Sequence, residues 1–160
     1  MKNNILSLSE LNLLTKSIFG KKVVLVGGCF DLLHWGHVTF LEKAKKQGDI
    51  LVVMLESDEF IKKQKKRRHV HNQQQRAQIL RELRVVDYVI LLPYFSKDND
   101  YSNLVETIKP DIIAVSEKDP TISKKKEQAN KINAKIVVVT PLLIRFSSSV
   151  ILPHADLSGD

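Results

Sequence analysis

The sequence predicts an α/β fold: a doubly wound, mostly parallel five-stranded sheet with helices on both faces. Three observations carry this reading. Short continuous apolar runs such as Val23-Val24-Leu25-Val26 recur along the chain, as strands buried on both faces require. Apolar residues at helical spacing separate those runs. Glycine or proline marks many of the transitions between them. Strands that alternate with helices pair in parallel, and right-handed crossovers then wind the sheet in both directions.

The elements follow in order. Leu8, Leu11, Leu14 and Ile18 form one face of an opening helix that Gly20 ends. The first strand, from Val23, is broken by Gly27 and Gly28, and a loop leads to a helix starting near Gly36. That helix turns Val38, Leu41 and Ala44 inward and stops at Gly48. A second strand covers 50–55, and Asp58 opens a short helix running into a basic cluster. Asn72 and Gln75 have the spacing of a capping box, ahead of a helix with Ala77, Leu80 and Leu83 on its apolar stripe. Strand three covers 88–92 and stops at Pro93. A helical face of Leu104, Val105 and Ile108 precedes Pro110, and strand four covers 112–115. Ile122, Ala129 and Ile132 mark a helix, strand five covers 136–139 up to Pro141, and a short final turn or helix begins at Ser147. The expected organisation is one domain over residues 1–160, with an N-terminal helix to residue 20, a core over 21–152 and a tail over 153–160.

Composition narrows the functional classes. With 43% hydrophobic and 27% charged residues the chain is globular rather than disordered. No apolar run reaches the roughly 18–20 residues of a membrane span. Ser7, Ser9 and Glu10 interrupt any signal-peptide core, so a cytoplasmic location is expected. Cys29 is the lone cysteine, which excludes an internal disulfide and a cysteine-based zinc site. The net charge of +7 calls for an anionic partner. Its main concentration, Lys62, Lys63, Lys65, Lys66, Arg67 and Arg68, suits either a phosphate-closing loop or a solvated stretch, whereas Lys124 to Lys126 read as a solvated helix face.

In open parallel sheets ligands bind beyond the carboxyl ends of the strands. The first such end carries Gly27-Gly28-Cys29-Phe30-Asp31-Leu32-Leu33-His34-Trp35-Gly36-His37. Glycines admit phosphate oxygens to the backbone, and the following helix start offers unpaired N–H groups and a positive dipole. His34 and His37 flank that start, so both imidazoles can serve one anion pocket, and Gly36 leaves room between them.

This segment resembles the signature of the cytidylyltransferase-like nucleotidyltransferases, whose branches include glycerol-3-phosphate cytidylyltransferase, heptose-phosphate adenylyltransferase and archaeal FAD synthetase. The resemblance continues through Gly48-Asp49, Ser57-Asp58-Glu59-Phe60, the Lys63-to-Lys66 run and 76–87, and covers residues 8–152. It implies a Rossmann-like nucleotidyltransferase fold. It also implies transfer of CMP or AMP from CTP or ATP to a small phosphorylated acceptor, such as a polyol or sugar phosphate, with release of pyrophosphate. His34, His37, Lys63 and Arg76 would be catalytic. Gly28, Cys29, Phe30, Asp31, Gly36, Lys65, Lys66, Ser147, Ser148 and Ser149 would hold the nucleotide and its phosphates. Asp58, Trp35 and Arg84 would face the acceptor.

Such transfer needs positioning and charge neutralisation more than covalent chemistry, because the acceptor phosphate is already a nucleophile. Mg²⁺ is expected to arrive with the NTP, with no metal site made by the protein. A homodimer is implied by the family, and no membrane or nucleic-acid partner is expected, since the basic run has no interleaved aromatics to stack bases. The sequence departs from many relatives at Ser116-Glu117-Lys118-Asp119, where they have glycine followed by an acid, and Pro153 shortens the last helix. Features of two branches are mixed, and ATP and CTP both remain open. A non-catalytic nucleotide-binding relative and a nucleic-acid-binding protein are the alternative readings.

Overall fold

The computed structural model describes residues 4–117 and 119–141. Ser147, Ser148, Ser149 and Pro153, to which the sequence assigns roles, lie outside them, as does Lys118.

The strands are β1 (Ile5–Leu6), β2 (Val23–Gly28), β3 (Ile50–Leu55), β4 (Tyr88–Leu91), β5 (Ile112–Ser116) and β6 (Lys135–Thr140). The α-helices are α1 (Leu11–Ile18), α2 (Trp35–Lys45), α3 (Asp58–Gln64), α4 (Gln73–Arg81), α5 (Asp98–Ile108) and α6 (Ile122–Lys131). The sheet has six strands in the order β1-β4-β3-β2-β5-β6, and every adjacent pair is parallel. The chain winds outward from β2 in both directions, so the switch point lies between β2 and β5.

The sixth strand corrects the expected five. Ile5 and Leu6 pair with Val89 and Ile90 at the sheet edge, helped by the Val89 amide, which donates to Asn4 O. Two residues are too few to show a strand period, so this segment merges with the apolar pattern that follows it. The helix expected over 1–20 accordingly shrinks to 11–18 behind a single 3₁₀ turn, Leu8–Glu10.

Alternation along the strands divides the core between two faces. Val23, Leu25, Val52 and Met54 pack under Leu14 and Ile18 of α1, Leu104, Val105 and Ile108 of α5 and Ala129 of α6. Val24, Val26, Leu51, Val53 and Leu55 meet Leu41 and Ala44 of α2 and Ala77 and Leu80 of α4 on the opposite face. Gly48 is fixed by close approach: a Cβ there would stand 2.7 Å from Lys22 O and 2.8 Å from Val24 Cγ2. The capping box at Asn72 and Gln75 is formed, both reciprocal bonds being present. Among the described residues, no helix is long and apolar enough to cross a membrane.

Candidate functional site

The turn leaving β2 is built around a strained residue. Phe30 is buried with a φ of 45°, a region bulky side chains rarely occupy and one that clusters at functional turns. Its ring lies over Gly28, where a Cβ would come within 2.9 Å of Phe30 Cε2, and stands 5.1 Å from the His37 ring. Gly28 is therefore glycine because the aromatic ring takes the space a side chain would need.

His34 is the N-cap of α2, its Nδ1 accepting from the His37 backbone N–H at 3.4 Å. With Nδ1 accepting, a neutral His34 carries its proton on Nε2. That Nε2 and His37 Nδ1 are buried and, among the described residues, have no hydrogen-bond partner. The two rings stack with centroids 3.8 Å apart and planes 21° from parallel. Burial lowers the pKa of His34. Burial, and then the neighbouring His34, lower that of His37 to about 4, against a backbone hydrogen bond with Leu32. Both rings are thus neutral near pH 7. His34 Nε2–H, at the start of an 11-residue helix, is a donor that a bound anion can satisfy, whereas His37 Nδ1 can serve an anion once it takes up a proton.

Several of the expected ligand residues instead bind the protein. Asp31, 2% exposed, accepts from Arg67 and from the backbone N–H groups of Val70 at 2.9 Å and His71 at 3.1 Å. Burial pushes its carboxyl up, but these donors outweigh that and hold it below the ordinary value. Arg76, 0% exposed, gives Nε to His71 O at 3.0 Å, one terminal nitrogen to Cys29 O and the other to Asp58 Oδ1 at 2.7 Å. Its guanidinium ties three segments together, where a phosphate contact was expected of it. Asp58 is drawn into the same brace, and its other oxygen lies 3.9 Å from His69 Nε2. Ser57 caps α3 by accepting from the Phe60 N–H.

The basic run is similarly divided. Lys63 pairs with Glu59 at 2.6 Å and stands over the Tyr94 ring, whereas Lys65 is the lysine whose charge reaches Cys29 and Glu56. Lys66 is exposed beyond α3, with a φ of 52°. Trp35 is 59% exposed beside His34 and Gly36 is buried in the first turn of α2. Arg84 is not brought to the site. Gln73, at the start of α4, donates to Leu55 O and Leu92 O at the carboxyl ends of β3 and β4. The helix then rises away by ~13 Å, and Asp87, just beyond Arg84, bonds Leu51 N near the amino end of β3. The second basic cluster is not wholly solvated either: Lys125, 18% exposed, pairs with Asp119 at 2.6 Å.

Three residues escaped the sequence reading. Gln73 staples two strand ends, and Glu56 and Tyr101 meet beside the turn. Burial pushes the Glu56 carboxyl up to about 7, although the Tyr101 hydroxyl donates to it. An acid placed straight after an apolar strand, as Glu56 follows Leu55, was the available signal. Burial likewise pushes the Cys29 thiol up to about 11, which leaves it a poor nucleophile.

A parallel sheet, an anion-ready turn and paired histidines define a pattern shared with known proteins. The cytidylyltransferase-like family model matches residues 25–154. The chain belongs to the cytidylyltransferase-like family. It is 44% identical over 113 residues to the bifunctional protein HldE of Campylobacter fetus, a match covering 70% of this chain and 23% of that protein. It is 41% identical over 121 residues to the FAD synthase of Thermococcus kodakarensis, covering 73% and 79%. The chain therefore spans less than a quarter of the HldE relative. Among solved structures, a lipopolysaccharide core biosynthesis protein from Thermoplasma volcanium superposes with a TM-score of 0.61 at 30% identity, over 76% of this chain and 96% of that one. A pantoate-beta-alanine ligase from Francisella tularensis, 20% identical with a TM-score of 0.62 over 85% of this chain and 66% of that one, shares the fold.

Proposed function

We propose that this protein is a nucleotidyltransferase that moves CMP or AMP from CTP or ATP onto a small phosphorylated acceptor. The observation that carries the proposal is the stacked His34–His37 pair, whose two buried nitrogens have no partner among the described residues. The family membership and the HldE and FAD synthase likenesses support it.

In this reading the triphosphate lies along the Gly28-to-His37 turn, with His34 Nε2–H donating to a phosphate oxygen. An acceptor phosphate oxygen attacks the α-phosphorus. The bond from that phosphorus to the bridging oxygen breaks as the new one forms, and pyrophosphate leaves with the electron pair. Negative charge builds on the leaving group and raises the proton affinity of the neutral His37, whose Nδ1 would take up a proton from water and donate it as a hydrogen bond to the departing phosphate. Lys65 and Lys66 would close over the phosphates and Trp35 would wall the acceptor side. Lys63 would join them only by leaving Glu59. Arg76, Asp58 and Asp31 act as braces that hold the Cys29 turn and the 67–71 segment in place.

Among the described residues no group of three or more His, Cys, Asp or Glu stands ready to hold a metal ion. Mg²⁺ entering with the triphosphate would supply charge neutralisation. The proposal extends to a cytoplasmic homodimer and to Ser147, Ser148 and Ser149 as phosphate contacts. The likeness to an FAD synthase favours ATP, because FAD contains an adenylyl group, whereas the family name favours CTP.

The test is pyrophosphate release from each NTP with Mg²⁺ and a panel of polyol, sugar and flavin phosphates. One donor–acceptor pair should turn over, and His34→Ala and His37→Ala should each lose at least about a hundredfold, as removal of a transition-state donor does. Tight NTP binding without turnover across the panel would replace the enzyme by a nucleotide-binding module.

A further inference from the structure

We propose that Glu56, held by Tyr101, reads a pair of adjacent hydroxyl groups on the ligand whose phosphate sits at His34 and His37. The inference rests on the phosphate-binding reading of that turn. Glu56 follows the last residue of β3, and its backbone N–H donates to Gly28 O at 3.0 Å, which fixes it against the turn. Its side chain leaves the residue only 9% exposed. Tyr101, from α5 on the far face of the sheet from α2, points its hydroxyl at both carboxylate oxygens, 3.0 and 3.2 Å away.

One phenol has one proton. Two carboxylate oxygens can accept about four hydrogen bonds, so among the described residues Tyr101 leaves this buried group with room for further donors. The nearby cation that could relieve it, Lys125, already stands 2.6 Å from the Asp119 carboxylate. A fully hydrogen-bonded network would be the ordinary condition of a buried acid, and an incomplete one asks for a missing donor.

The missing donor has a definable chemistry. It must bring O–H groups rather than a cation, since the charges of Lys125, Arg76 and Lys65 already reach Glu56. Two hydroxyls on neighbouring carbons match the two oxygens of one carboxylate, each bonding one. Glu56 is bonded to Gly28 O, in the turn that leads to the histidines, so a ligand that reaches both would carry a phosphate at one end and a diol at the other. The ribose of the donor and a polyol or sugar acceptor both have this form.

Calorimetry on the full chain and on Glu56→Gln and Tyr101→Phe separates these sources. One arm compares ATP and CTP with their 2′,3′-dideoxy forms; the other compares glycerol 3-phosphate and mannose 1-phosphate with n-propyl phosphate. The wild type should prefer the hydroxylated member of one arm by about tenfold or more, the value of hydrogen bonds to a charged group. Glu56→Gln should cut that preference to about threefold or less and leave affinity for the diol-free probe within about twofold. Tyr101→Phe, which keeps the carboxylate, should lose part of the preference and show that the effect is not a folding defect. A wild type with no preference in either arm, or a preference unchanged in Glu56→Gln, overturns the inference. Turnover with a Glu56-independent preference would sink this inference alone, whereas a Glu56-dependent preference without any turnover would sink the transferase reading alone.

Discussion

Replacing Arg76 with methionine removes the guanidinium and keeps much of the buried stem. The structure shows what is lost: hydrogen bonds to Cys29 O and His71 O, and an ion pair with Asp58. Two backbone acceptors left without donors cost about 1–3 kcal/mol each. The Asp58 carboxylate is 34% exposed and can rehydrate, so its share is small. Burying no charge at all offsets part of the total. The net loss is about 2–4 kcal/mol, a large fraction of the roughly 5–15 kcal/mol of a typical domain. Arg76→Lys should recover little, because one ammonium cannot reach three separated acceptors in a plane. Urea unfolding at pH 7, analysed at constant slope, measures this directly. A loss under about 1 kcal/mol, accompanied by a large drop in nucleotide affinity, would refute the reasoning: the arginine would then serve the ligand and not the scaffold.

Three further outcomes follow from single residues. Glu56 has a folded pKa raised to about 7 from 4.5, so the folded state binds the extra proton between those values. Stability should fall as pH rises through that window and level off above it, by up to about 3 kcal/mol; pH-dependent melting of wild type against Glu56→Gln checks this, the variant showing the shallower decline. Gly48→Ala should cost about 1–3 kcal/mol in urea unfolding, because the new methyl meets backbone at Lys22 O, 2.7 Å away. Cys29, with its thiol at about 11, should react with iodoacetamide at pH 8 far more slowly in the native protein than in urea, where its pKa returns to about 8.5.

Much of the fold was legible because buried strands and amphipathic helices follow from spacing alone. The runs beginning at Val23, Ile50, Tyr88, Ile112 and the strand around Ile136 all became strands of one parallel sheet. What escaped was set by partners distant in sequence. Ile5–Leu6 is a strand only because Val89 and Ile90 receive it. The site divides in the same way. The pairing of His34 with His37 was readable, since their spacing on a helix start fixes it. The occupation of Asp31 and Arg76 was not, because the acceptors and donors that claim them come from the 67–71 segment, the Cys29 turn and the start of α3. A charged residue in a signature looks the same in sequence whether it faces a ligand or holds the loop that does. Arg84 shows the limit most plainly, since only the direction of α4 reveals that it lies at the wrong end of the sheet.

The most direct test of the account is an imidazole NMR titration of His37, followed with and without saturating ATP or CTP. The free ring should titrate at about 4, and a bound triphosphate should raise that value by about one to three units, as a close opposite charge does. A His37 whose titration and nitrogen shifts stay unmoved while the nucleotide is demonstrably bound would place the triphosphate elsewhere and contradict the account.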